Sequence, residues 1–171
     1  FTRDAVGRVL QERRPDLEAT LFAYDLESNA TTVTPPGRPA HGMTHNLVEL
    51  LESYNPPALP GGGPTSYSYD LRQRQTSVSV GGQSTQYEYW PTGLLKKVTQ
   101  PDGVSFVAYG YDDAHRLTVV SDNLGNSITY TLDNAGNRTA EEVRDPSNSL
   151  RRQLTRSIDA LGRVQQITGR Q

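Results

Sequence analysis

A degenerate unit recurs eight times along this chain, clearest in Tyr111-Asp112-Asp113-Ala114-His115-Arg116-Leu117, Leu132-Asp133-Asn134-Ala135-Gly136-Asn137-Arg138 and Ile158-Asp159-Ala160-Leu161-Gly162-Arg163-Val164. A unit of about twenty residues cannot bury its own apolar face, so the copies must stack and share one, which makes a quasi-one-dimensional array. Aligned on the acidic position, the anchors are Asp4, Asp25, Asn46, Asp70, Trp90, Asp112, Asp133 and Asp159, with steps of 21, 21, 24, 20, 22, 21 and 26 residues. The whole of 1–171 reads as this single array, with a Pro/Gly-rich insertion at 53–64.

Each anchor opens a turn. Asp4-Ala5-Val6-Gly7, Asp133-Asn134-Ala135-Gly136 and Asp159-Ala160-Leu161-Gly162 place Asp first and Gly fourth, the preference of a type I β-turn. Trp90-Pro91-Thr92-Gly93 loses the acid but holds Pro second and Gly fourth, which suits the same geometry. Ser28, Glu49, Gln73 and His115 stand where other copies have the glycine, which leaves their turn types open. Between anchors lies a second breaker, such as Arg14-Pro15-Asp16, Pro35-Pro36-Gly37, Gly81-Gly82, Pro101-Asp102-Gly103, Asp122-Asn123-Leu124-Gly125 or Asp145-Pro146-Ser147-Asn148. Two turns and two strands per unit describe an all-β antiparallel meander of about 14 to 16 strands. No long segment has helical periodicity; the best candidate, Leu47 to Tyr54, is short and coincides with a repeat turn.

Side-chain parity agrees. Three and one residues before the anchors stand Phe22 and Tyr24, Met43 and His45, Tyr67 and Tyr69, Tyr87 and Tyr89, Tyr109 and Tyr111, Tyr130 and Leu132. Both positions of a pair face the same side of a strand, which predicts two aromatic ladders across the sheet. After the turn, Leu95 and Val98, Leu117 and Val120, and Val164 and Ile167 are three apart, which breaks strict alternation and calls for a β-bulge.

Tyr-Asp followed three residues later by Gly-Arg-Leu or a variant, on a period near 21, resembles the YD repeat of RHS-type proteins and the related teneurin shells. The resemblance implies an extended, curved β-meander wound into a hollow shell, a cocoon that encloses a C-terminal toxin or effector. It implies bacterial secretion or surface display, with neighbouring repeats and the enclosed effector as partners. It also implies a second reading, a cell-surface carbohydrate-binding or adhesion module, for which Trp90 is the stacking residue to test.

With 34% hydrophobic residues, 21% charged residues and 15 glycines, the chain suits a thin sheet better than a compact core. A net charge of -2 gives no footprint for nucleic acid, and no run of 18 apolar residues suggests membrane insertion. Cysteine is absent, so disulfides and thiolate metal sites are excluded, and an animal ectodomain is disfavoured. The chain opens on Phe1 within a repeat and reads as a piece of something longer. Such a piece exposes unpaired edges and an uncovered face, through which it is expected to self-associate. The insertion at Ser53 to Pro64 is expected to be the most mobile segment.

Catalytic chemistry is sparse. His41 and His45 are four apart, which suits two metal ligands on a helix but not on a strand, where they lie about 13 Å apart. No Gly-x-Ser-x-Gly elbow, phosphate-cradling loop or His-Glu-x-x-His occurs, and no catalytic, cofactor or metal residue is expected. The repeat aspartates are expected to accept backbone N–H groups within their own turns, with Arg8, Arg116 and Arg163 pairing to acids on neighbouring copies. Asp145-Pro146 reads as a turn rather than a cleavage site.

Overall fold

The structure is a computed structural model that describes residues 1–58 and 63–170. It is all-β and antiparallel, and it divides into two units, 1–84 and 85–171. The first unit holds β1 (Thr2–Arg3), β2 (Val9–Arg13), β3 (Ala19–Tyr24), β4 (Ala30–Thr34), β5 (His41–His45), β6 (Leu51–Asn55), β7 (Thr65–Tyr69) and β8 (Gln75–Val80). With β9 (Gln83–Tyr89), the second unit holds β10 (Leu95–Thr99), β11 (Phe106–Tyr111), β12 (Leu117–Asp122), β13 (Ser127–Leu132), β14 (Arg138–Arg144), β15 (Leu150–Ile158) and β16 (Val164–Arg170). Within each unit, strands pair in sequence order, as an antiparallel meander requires. The insertion is shorter than the sequence suggests, because Ser53 to Asn55 belong to β6 and β7 starts at Thr65. The core of the segment expected to be mobile lies outside the described residues.

All eight anchor turns share one geometry. The anchor N–H donates to the carbonyl four residues on, and the N–H three residues on donates back to the anchor carbonyl, at 2.8 to 3.3 Å. The third residue after the anchor has positive φ in every copy: Gly7, Ser28, Glu49, Gln73, Gly93, His115, Gly136 and Gly162. This is a type I turn closed by a left-handed residue that forms a bulge, a common three-residue hairpin loop. The copies without glycine therefore adopt the same conformation as those with it.

A second bulge follows at a fixed place. Ala23 pairs with Thr32 and Tyr24 with Ala30, which leaves Thr31 unpaired, six residues past Asp25. The same offset leaves out Leu10, Glu52, Thr76, Lys96, Thr118, Thr139 and Gln165. The bulge puts the fifth and eighth residues after the anchor on one face, which accounts for the spacing of Leu117 and Val120. Thr118 and Thr139 use the position to donate Oγ1 to the carbonyls of Gly110 and Thr131, at 3.3 and 3.2 Å.

This register corrects the expected ladders. Phe22 stands opposite Val33, Tyr67 opposite Val78, Tyr87 opposite Val98 and Tyr109 opposite Val120. Because a unit contributes two strands, these four aromatics meet the aliphatic partner of their own hairpin instead of the next copy's aromatic, while Tyr69 and Tyr130 stand opposite Gln75 and Glu141. The four rungs are aromatic on β-branched, a favourable cross-strand pair. Along β7 and β13 the Tyr side is the more covered one, alternating with exposed residues. Even so, no described side chain is fully buried, as expected of a sheet one layer thick.

Candidate functional site

The acid at the head of each turn organises a clasp. One carboxylate oxygen of Asp4 accepts the N–H groups of Val6 and Arg8, and the same pattern holds for Asp70 with Arg72 and Arg74 and for Asp159 with Leu161 and Arg163. Asn46 reproduces it with its amide oxygen toward Val48 and Leu50. The aspartates thus cap their own turns, as expected from the sequence.

The arginines behave differently from expectation. Arg8, Arg116 and Arg163 pair with the acid of their own turn, at 2.6, 2.7 and 2.8 Å between Nε and Oδ2, and not with an acid of a neighbouring copy. Their position four residues past the anchor brings the guanidinium back over the turn. The reach to the next copy goes to the backbone: Nη1 of Arg8 donates to the carbonyl of Asp25, and Nη1 of Arg116 to that of Asp133, both at 2.9 Å. Arg8 and Arg116 therefore each tie one repeat to the next. Tyr24 and Tyr69 add a second tie by donating their hydroxyls to the carbonyls of Val9 and Leu51.

A sequence signal for this clasp exists. Where the anchor is Asp, the residue four on is Arg or Asn, and its side chain donates to Oδ2: Arg8, Asn29, Arg74, Arg116, Asn137 and Arg163. Where the anchor is Asn46 or Trp90, that residue is Leu50 or Leu94. The donor is present only where a carboxylate needs it.

The hydrogen bonds hold the carboxyls ionised. At Asp70 and Asp112 the side-chain bond from Arg74 or Arg116 leads in depressing the pKa, and at Asp133 the bond from Asn137 leads. At Asp4 and Asp25 the largest influence, desolvation, opposes ionisation, and the bonds from Arg8 and Asn29 outweigh it. Asp145, capped by Ser147 and Ser149 and paired with Arg151, falls to about 2. Each of these acids is committed to its own turn, so they do not form paired catalytic carboxylates. Asp145-Pro146 lies in such a turn, between β14 and β15.

Trp90 borders a cavity of about 430 Å³ between two successive turns, lined also by Pro91, Leu94, Tyr111, Asp112, Asp113 and His115. Trp90 is 40% exposed. Its Nε1 donates to the Tyr109 carbonyl at 3.2 Å, and the Lys96 ammonium lies 5.4 Å from the ring centre. His41 and His45 sit at opposite ends of β5, and no group of three metal-ligating side chains occurs among the described residues. His41 Nδ1 is engaged by the Tyr54 hydroxyl at 2.5 Å.

Residues 89–127 and 111–149 match the model of the RHS repeat. A sequence search of curated proteins finds no match. Among solved structures, the chain resembles a TcdB2–TccC3 complex lacking its hypervariable C-terminal region, at a TM-score of 0.71 and 17% identity over 92% of this chain and 9% of that one. It also resembles the Photorhabdus luminescens Tc holotoxin pore, at 0.65 and 17% identity over 98% of this chain and 12% of that one. A third likeness, TcdB2–TccC3 itself, has a TM-score of 0.69 at 18% identity over 92% of this chain and 10% of that one. The chain thus spans about a tenth of the length of the structures it resembles.

Proposed function

The chain carries RHS repeats, and from that premise we propose that it is a wall segment of a shell that encloses a polypeptide effector. The observation that carries this reading is the sheet itself. Within each unit the described strands form a single layer with no fully buried side chain, yet the turns are clasped and tied repeat to repeat. A sheet built this way is a barrier whose covered face looks for a second layer. One structure that the chain resembles is of TcdB2–TccC3 without a hypervariable C-terminal region, and a segment of that kind is what this reading places inside the shell. The same likeness to toxin complexes supports secretion or surface display.

The test is proteolysis of the complete polypeptide that contains this array. Under native conditions the enclosed segment is expected to survive a protease that digests an unfolded control, and to be cleaved once denaturant opens the array. Cleavage at the control's rate under native conditions would remove the wall reading.

The Trp90 cavity favours a second reading, recognition of a carbohydrate by stacking on the indole beside Asp113 and His115. Since Trp90 is partly exposed, quenching by acrylamide is expected under either reading. Neutral oligosaccharides decide the matter. No change in Trp90 fluorescence is expected for a wall, and a saturable change would put recognition first.

A further inference from the structure

On the covered face of the second unit, three charged residues stand where most copies of the array have apolar ones. Arg156 is three residues before its anchor, where other copies have Phe22, Met43, Tyr67, Tyr87, Tyr109 and Tyr130. Arg138 is five after its anchor, where others have Val9, Ala30, Leu51, Leu95, Leu117 and Val164, and Gln75 is the one uncharged polar residue. Glu141 is eight after, where Val33, Tyr54, Val78, Val98, Val120 and Ile167 stand in six other copies and only Glu12 in the first is also charged. Interrupting an apolar stripe with charge is costly unless something answers it.

Within the chain the answer is incomplete. Arg116, Leu117, Leu132, Gly136, Arg138 and Arg156 line an open cavity of about 490 Å³, and no acid lines it. Arg116 is fully engaged by Asp112 and the Asp133 carbonyl. Arg138 and Arg156 share Glu141, each at 3.7 Å, an ion-pair distance too long for a hydrogen bond. Arg156 is only 20% exposed, and its Nη1 is shielded from solvent without a hydrogen-bond partner. The Arg138 guanidinium lies over Tyr130, 3.6 Å from the ring centre.

We propose that this cavity is a binding site for an aspartate or glutamate side chain of a polypeptide segment laid on the sheet. A guanidinium offers parallel donors that match a carboxylate, and two of them here compete for one acid. The leucines beside the arginines provide an apolar bed for the stem of an acidic side chain, which a free inorganic anion would not use. That same apolar face has no layer over it among the described residues, and a second layer is what a sheet one layer thick lacks. That the segment belongs to an enclosed effector rests on the wall reading; the carboxylate site does not.

The test is calorimetric titration of the chain with hexaglutamate. Arg156→Gln and Arg138→Gln should each weaken binding roughly tenfold, the loss expected of one charge-assisted hydrogen bond. Arg13→Gln, on β2 of the other unit, should change nothing. Glu141→Gln should tighten binding, because it removes the competing carboxylate while leaving both arginines; a purely structural ion pair would give no such gain. Circular dichroism of every variant separates these effects from misfolding. Equal binding by all variants, or none by the unaltered chain, overturns the proposal. So does inorganic phosphate that displaces hexaglutamate at equal concentration, which would make the site one for free anions. None of these failures touches protease protection of an enclosed segment, so the two readings fall separately.

Discussion

Acidification from pH 6 to pH 2 is expected to lower the urea midpoint of this chain steeply, with nearly all of the loss below about pH 4. Ten carboxyls, Asp4, Asp25, Asp70, Glu88, Asp102, Asp112, Asp122, Asp133, Asp145 and Asp159, have depressed pKa values in the folded chain. In the unfolded chain such groups titrate near about 4. Between their unfolded and folded values the unfolded state binds more protons, so stability falls as pH falls. The contribution is fully present above the unfolded values and disappears as each folded value is passed, Asp145 last at about 2. These carboxyls are near the surface, so each adds little and salt screens the part owed to Arg8, Arg74, Arg116 and Arg163. The size of the effect comes from repetition, since every clasp loses its acceptor over one narrow range. Far-UV circular dichroism against urea at each pH measures it. A midpoint unchanged down to pH 2 would show that the carboxylates do not stabilise the turns.

The turns were the most legible part of the chain because their chemistry is local. Asp at the first position and Gly at the fourth specify a geometry within four residues, and Trp90-Pro91-Thr92-Gly93 reaches it without the acid. All-β architecture follows from the same turn spacing. The aromatic rows were half legible: parity put Tyr67 and Tyr69 on one side, but what stands opposite depends on where a hairpin bulges. The bulge six residues past each anchor is a property of two strands together, and it sets Val78 rather than another tyrosine against Tyr67.

The clasp was legible in principle. The exchange of Arg116 or Asn137 for Leu50 and Leu94 when the acid is lost is visible in the chain alone. It needs the knowledge that the residue four past the anchor folds back over the turn, which comes from the left-handed residue between them. Charge complementarity alone fits an acid of the neighbouring copy equally well. The cavity of Arg138 and Arg156 was the least legible feature, because those arginines belong to different repeats and meet only through the register of β14 with β15.

Glycine at the left-handed position of five turns is expected to raise the melting temperature of the chain substantially. Leu17, Ser28, Glu49, Gln73 and His115 hold φ between 62° and 77°, a region that costs an L-residue about 1 to 2 kcal/mol. Glycine removes that cost but adds about 0.5 to 1 kcal/mol of unfolded-state entropy. The net gain is then about 0.5 to 1 kcal/mol per site. The five lie in separate turns, so their effects should add to about 2.5 to 5 kcal/mol. For a chain of this size that corresponds to roughly 5 to 20 °C by calorimetry. Asn148, also left-handed, is left out because asparagine tolerates the conformation. The reverse change isolates the backbone from packing: a Cβ at Gly7 would meet nothing within 4 Å, and one at Gly136 would meet only the Arg116 side chain at 3.7 Å. Gly7→Val and Gly136→Val should therefore each cost about 1 to 3 kcal/mol through conformation alone. If the five-glycine variant melts no higher than the original, those side chains make contacts worth as much as the strain they carry. If Gly136→Val is neutral, the left-handed residue is not what closes the turn, and the common geometry of the eight copies would need another cause.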